Sequence, residues 1–194
     1  MNKISNDIGR AACKRVSRRS FLKAGALTIG GCMIPKVLLA AVRAPRISER
    51  TLSLYNLHTG ESLKTAYWVE GEYLTEALKE INNILRDHRT QEIRPIDPGL
   101  LDLLHSLHST VESKEMLHII SGYRSPATNT HLRENSTGIA KNSLHLEGKA
   151  ADIRLPGYDL AALRRIAVAL KGGGVGYYPG SDFIHMDVGR VRYW

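Results

Sequence analysis

Residues 143–152 read S-L-H-L-E-G-K-A-A-D and set a histidine, His145, seven positions before an aspartate, Asp152. Gly148 lies between them and lets the chain turn. Downstream, F-I-H-M-D at 183–187 supplies a second histidine, His185, with Asp182 three residues before it and Asp187 two after. Two imidazoles and one carboxylate are a usual protein ligand set for catalytic zinc, with water in the fourth tetrahedral position. With His145, Asp152 and His185 as ligands, zinc would bring the pKa of that water to about 7 and supply hydroxide at neutral pH. A nearby carboxylate could then take the water's proton and pass it to a leaving amine.

Asp182 and Asp187 are the two candidates for that proton transfer, and spacing leaves the choice open. Strand residues i and i+2 share a face, which favours Asp187 beside His185. Asp182, placed on the preceding turn, would reach the same water. Asp187 could equally act as the partner that fixes the His185 imidazole. Glu147 is a third carboxylate in range, but its place beside the turn glycine points it to solvent. Arg124 closes a short strand, and a guanidinium there could hold a substrate carboxylate or a tetrahedral oxyanion. The alternative for Arg124 is a structural salt bridge.

The other histidines make weaker ligands. His58 falls in a turn. His105 and His108 are three apart on a helix with no third ligand nearby. His118 belongs to a strand and is expected to be satisfied in the core, and His131 to lie on an exposed helix face.

The totals narrow the function classes. At 194 residues the chain suits one domain with a real core. The formal net charge is +8, but residues 1–40 hold eight Lys/Arg and a single acid, Asp7. That leaves 19 basic and 18 acidic residues for 41–194, so a basic nucleic-acid-binding surface loses its support. Both cysteines, Cys13 and Cys32, also fall in the leader, and the body can hold neither a disulfide framework nor a thiolate metal site.

The leader reads as an address. Residues 17–23 are S-R-R-S-F-L-K, a twin-arginine pattern, followed by a weakly apolar run from Ala24 to Ala40. Gly25, Gly30, Gly31, Pro35 and Lys36 break that run too often for a stable membrane span. Residues 1–40 are therefore expected to be a twin-arginine export signal, cleaved near Ala40 or Ala41, with the mature protein in the periplasm. A lipoprotein box at Ile29–Cys32 and a retained anchor are the other forms this leader could take.

Elements that must position the site follow in order. Residues 41–50 are an exposed lead-in. Thr51–Asn56 and Ser62–Val69 form a hairpin around His58-Thr59-Gly60-Glu61. Apolar spacing predicts a helix over Tyr73–Arg86, and Asp97-Pro98 opens a second through Val111. Leu117–Ile120 is a buried strand leading to Ser121-Gly122-Tyr123-Arg124-Ser125, and Ser125-Pro126 starts a short helix to about Glu134. Ala150–Asp152 reads as a strand, Asp159 caps a helix over Leu160–Lys171, and Val175–Tyr178 and Asp182–Val188 are two strands joined by Pro179-Gly180. Gly172-Gly173-Gly174 follows a helix and enters a strand, the reverse of a phosphate-binding turn. This mixed order gives an α+β fold with a mainly antiparallel sheet and flanking helices.

Three stretches in this order, S-G-Y-R-S (121–125), S-L-H-L-E-G-K-A-A-D (143–152) and G-G-V-G-Y-Y-P-G…F-I-H-M-D (173–187), resemble the M15 family of zinc peptidases that act on bacterial cell walls, in the branch containing murein endopeptidase K. The resemblance covers roughly residues 45–194. It implies Zn2+ held by His145, Asp152 and His185, Arg124 facing the scissile carbonyl, and a fold shared with D-alanyl-D-alanine (Hedgehog/DD-peptidase-like) metallopeptidases over 51–194. It also implies cleavage of peptide cross-links between peptidoglycan stem peptides and indifference to penicillin. Many members carry an acid three residues before the last histidine, where Asp182 stands. This branch looks to be marked instead by the His-x-Asp of His185 and Asp187, so both remain candidates. Tyr177, Tyr178 and Ser143 are further residues that could face the cleft or the metal. The rival readings are a D,D-carboxypeptidase on the same site, a non-catalytic zinc-stabilised wall-binding module, and an exported redox protein, against which the absence of body cysteines and of cofactor motifs argues.

Overall fold

The structure, a computed structural model, describes residues 48–135 and 140–194. The expected export signal at 1–40, both cysteines and most of the lead-in at 41–50 lie outside the described residues. No helix among those described is long and apolar enough to cross a membrane.

The chain enters through β1 (Glu49–Asn56) and turns at His58–Gly60 into β2 (Ser62–Val69), which pairs with it antiparallel. The turn is held by Asn56, whose side-chain oxygen accepts from the amides of His58 and Thr59 at 2.9 and 3.2 Å. A two-residue strand β3 (Glu72–Tyr73) follows, and helix α1 spans Thr75–Ile84. The helix expected from Tyr73 therefore begins two residues later. Glu70 and Gly71 turn the chain with positive φ angles of 51° and 101°, so that Glu72 and Tyr73 pair back onto Val69 and Trp68. Helix α2 (Pro98–Val111) starts as expected, with Asp97 accepting from the Gly99 amide at 2.8 Å.

Then come β4 (Leu117–Ser121), α3 (Pro126–Asn135), a 3-10 turn at Leu144–Glu147, β5 (Ala150–Arg154) and α4 (Leu160–Leu170), the last capped by Asp159. Strands β6 (Gly174–Tyr178), β7 (Phe183–Asp187) and β8 (Arg192–Tyr193) complete the sheet. β8 has no counterpart in the sequence reading, because two paired residues are too short to show a period. The order is β3-β2-β1-β4-β5-β7-β6-β8. Only β1/β4 and β6/β8 are parallel, so the sheet is mixed and mainly antiparallel, as the sequence led us to expect.

One face of the sheet carries the core. Leu52, Leu54, Leu117, Ile119, Ala151, Ile153, Val175, Ile184 and Met186 pack with apolar residues of α1, α2 and α4 in a single cluster. Successive strand residues point to opposite faces, so the residues between these, His118, Asp152 and His185 among them, are turned to the other face. That alternation corrects the expectation for His118. Flanked by buried Leu117 and Ile119, it lies outside the core, half-buried against Tyr55 at 5.0 Å, and its Nδ1 has no hydrogen-bond partner among the described residues.

Candidate metal centre

His145 is placed by the 3-10 turn. Ser143 starts the turn, its hydroxyl accepting from the His145 amide at 3.4 Å. Gly148 ends it at φ +69°, and a Cβ there would meet the Pro95 carbonyl oxygen at 2.4 Å, so only glycine fits. The turn is stitched to the segment after β4, since the Arg124 amide donates to the His145 carbonyl at 3.1 Å. The His145 ring then donates from Nδ1 to the Gly122 carbonyl at 2.7 Å, because that oxygen can only accept.

Asp152 and His185 are direct cross-strand partners in the β5/β7 ladder. Adjacent side chains on one face of a sheet are within reach of each other. His185 Nδ1 lies 2.9 Å from Asp152 Oδ1, His145 Nε2 lies 3.3 Å from the same oxygen, and the two imidazole nitrogens are 3.2 Å apart. Ligating atoms of all three buried residues fall within 4.8 Å of one another. The far side of the His185 ring is also fixed, Nε2 donating to Asp187 Oδ2 at 2.9 Å.

These bonds determine what the centre can hold. Each neutral imidazole has its proton committed to Gly122 or Asp187, so its other nitrogen presents a lone pair. Two lone pairs and a carboxylate then converge within hydrogen-bond distance with no donor among them. Such a set calls for positive charge, which a second proton on His185 or a metal ion can supply, and N2O donation in a buried pocket suits a metal ion. Electrostatics agree in direction. Burial works against the charge of Asp152, yet His145 and His185 hold its carboxyl well below the usual range. Burial lowers the His185 imidazole, but Asp152 and Asp187 together raise it above its ordinary value.

The two aspartates flanking His185 are placed very differently. Asp187 is fully buried. Its Oδ1 accepts from the amides of Gly174 and Gly189 and from Arg192 at 3.1, 2.8 and 3.0 Å, and its Oδ2 from Arg192 at 2.7 Å as well as from His185. Asp182 sits off the strand, at φ 52° on the turn into β7, and pairs with Arg154 at 3.0 Å while its side chain stays 66% exposed. Arg154 is two residues from Asp152 on β5, and neither Arg154 nor Asp182 is among the residues lining the cleft over the centre.

A cleft of about 520 Å³ opens over the three converging residues, lined also by Arg124, Asn142, Ser143, Tyr178, Phe183, Arg192 and Trp194. Arg124 is buried, with one guanidinium nitrogen 3.5 Å from Asp152 Oδ2 and 3.4 Å from the Ser121 hydroxyl, while its Nε has no partner among the described residues. Burial lowers its pKa, against the pull of Asp152. Of the two tyrosines, Tyr178 lines the cleft, while Tyr177 packs under the Arg164 guanidinium at 5.4 Å. His105 and His108 bind backbone carbonyls of Thr51 and Glu115, His131 is held by Asn135, and Glu147 pairs with Lys149 on the surface. Arg192 and Trp194 escaped the sequence reading. Their i, i+2 spacing in V-R-Y-W, behind the Gly189 turn, was the available signal.

A sheet whose open face gathers two imidazoles and a carboxylate under an arginine-lined cleft has the form of a metallopeptidase. A family model described as Peptidoglycan L,D-endopeptidase MepK matches residues 42–194. The chain is 41% identical over 178 residues to Peptidoglycan L,D-endopeptidase MepK of Escherichia coli (strain K12), covering 92% of this chain and 97% of the relative. It is 36% identical over 179 residues to the Probable peptidoglycan L,D-endopeptidase MepK of Haemophilus influenzae, covering 92% and 95%. The chain belongs to this M15 peptidase family.

Proposed function

We propose that this chain is an exported zinc endopeptidase that hydrolyses peptide cross-links between peptidoglycan stem peptides. The observation that carries the reading is the convergence of His145 Nε2, His185 Nδ1 and Asp152 with both imidazole protons committed elsewhere. The relatives' printed activity, L,D-endopeptidase on peptidoglycan, supports a scissile bond between an L- and a D-centre. When bound by these three residues, zinc supplies a Lewis acid and a water acidified to about pKa 7.

The remaining chemistry falls to the chain's own groups. Arg124, whose guanidinium lines the cleft beside Asp152, faces the scissile carbonyl and steadies the negative charge that develops on its oxygen. Asp187 has no lone pair to spare, since a carboxylate offers about four acceptor sites and five donors surround it. It serves by holding the His185 ring. Asp182 keeps an exposed carboxylate with one partner among the described residues and is the group that moves a proton, on leaving Arg154. Residues 1–40 act as the twin-arginine signal that delivers the 51–194 peptidase domain to the periplasm, with 41–50 as the lead-in. The family match beginning at residue 42 supports that division.

The test is the zinc-loaded protein incubated with purified cross-linked muropeptide dimers, products read by mass, with chelator and His185→Ala controls. Conversion of dimers to monomers that both controls abolish is the expected result. Release of a terminal alanine alone would make the enzyme a D,D-carboxypeptidase. Bound zinc with no mass change would leave a wall-binding module.

A further inference from the structure

One wall of the cleft is aromatic, and the metal centre makes no use of it as ligand. Trp194 continues β8 and is tied to β6 by two backbone bonds, its amide to the Val175 carbonyl at 3.2 Å and its carbonyl to the Tyr177 amide at 3.0 Å. Its indole is inclined at 45° to the His185 ring with centroids 5.3 Å apart. Gly176 sits opposite His185 in the β6/β7 ladder, and a Cβ there would come within 2.7 Å of the indole. A glycine at 176 is thus what lets the ring settle against the sheet. The indole N–H donates to the Tyr178 hydroxyl at 2.9 Å, the Tyr178 ring stacks on Phe183 at 4.6 Å, and the Arg192 guanidinium lies 5.0 Å from the indole centroid.

This ring is fixed on several sides and still 46% exposed, beside a Tyr178 that is 36% exposed, both lining the cleft. A rigid aromatic surface left open at a cleft contributes binding energy when something apolar covers it, at little entropic cost because the ring is already held. With its N–H committed to Tyr178, the indole offers only its face. It therefore suits peptide planes and aliphatic carbons, and offers no hydrogen bond to a sugar hydroxyl or a carboxylate.

We propose that Trp194, braced by Tyr178, is a specificity-determining wall on which the stem-peptide segment adjoining the scissile bond lies. The inference rests on the peptidoglycan endopeptidase reading above, and deepens it by naming the part of the substrate this surface takes. Its role is binding, distinct from metal retention and from proton transfer.

The chain has two tryptophans, Trp68 and Trp194. Trp68, on β2 under the Arg50 guanidinium, is remote from the cleft lining, so Trp68→Phe leaves Trp194 as the sole reporter. Zinc-loaded Trp68→Phe protein is titrated with uncross-linked muropeptide monomers, and a saturable change in Trp194 emission is expected. In parallel, Trp194→Ala is expected to raise KM for cross-linked dimers about tenfold, as loss of an aromatic anchor does, with kcat within about threefold. Trp194→Phe, which keeps an apolar face, should recover most of that loss. Zinc affinity should be unchanged in both. Emission that ignores muropeptides, or a fall in kcat and zinc affinity at constant KM, would overturn the wall and make the indole a mere brace for His185. Saturable emission with no cleavage by the wild-type chain would uphold the wall and sink the endopeptidase reading instead.

Discussion

Two aspartates flank His185 in sequence, and the structure gives them opposite surroundings. Asp187 ends β7 with no exposure, two backbone amides, a bidentate arginine and the imidazole around it. Asp182 precedes the strand on a left-handed turn, open to solvent, with Arg154 as its one partner among the described residues. Burial opposes the Asp187 charge, yet its partners keep that carboxyl well below the usual range. A carboxylate so fully engaged orients a neighbour well and exchanges protons badly. One with spare lone pairs and room to rotate does the reverse. On the function proposed above, the contrast divides proton transfer, three residues before His185, from positioning, two residues after it.

The sharpest way to break this division is to remove each charge without changing size. Asp182→Asn is expected to lower kcat by roughly 10²–10⁴, the usual worth of a positioned acid or base, with zinc content unchanged by elemental analysis. Activity within threefold of wild type would exclude Asp182 from the proton path. Asp187→Asn should act through the metal. Loss of a partner that holds a ligating histidine weakens zinc binding by about 10–100-fold, measured by competition with a chelator, and saturating zinc should restore most of kcat. A kcat that stays low at saturating zinc would reverse the two assignments.

Much of this was legible in the sequence, and the limits have physical causes. His145, Asp152 and His185 were readable as a set because their residue types match a metal-ligand set, although Asp152 and His185 meet only through the β5/β7 ladder. That His185 and Asp187 share a face followed from period two alone. Asp182 could not be placed, because whether the turn at Pro179–Ser181 delivers it inward depends on a left-handed residue that no periodicity reports. Arg192 and Trp194 were missed because β8 forms only by pairing with β6, a long-range contact. His118 was misassigned because a lone imidazole in an apolar strand looks buried when its two neighbours are.

A third carboxylate extends the comparison outside the cleft. Asp87 is buried and accepts from the amides of Arg89 at 2.9 Å and Ser125 at 2.8 Å, next in the chain to Arg124. Burial works against its charge, but those bonds hold its pKa well below the ordinary value. The unfolded chain therefore binds the Asp87 proton more readily than the folded one, so its stabilisation is complete above about pH 4 and fades as pH falls further. Asp87→Ala should cost about 1–3 kcal/mol at pH 7 by denaturant unfolding and flatten the acid side of the stability profile. An unchanged profile would mean that Asp87 is not a source of the acid sensitivity.

The smallest expected effect tests how Asp182 is held. Its pair with Arg154 is exposed on both sides, at 35% and 66%, so it adds only about 0.5 kcal/mol to the fold. Arg154→Met keeps the aliphatic stem on the open face and releases the carboxylate. If the pair merely parks Asp182 between turnovers, kcat should stay level or rise by up to about threefold, since less free energy is needed to bring the group inward. If Arg154 instead aims Asp182 at the reacting water, kcat should fall more than tenfold with zinc still bound, and the exposed position is then the working one. Either sign separates a resting contact from a productive one, a distinction that removing Asp182 itself does not make.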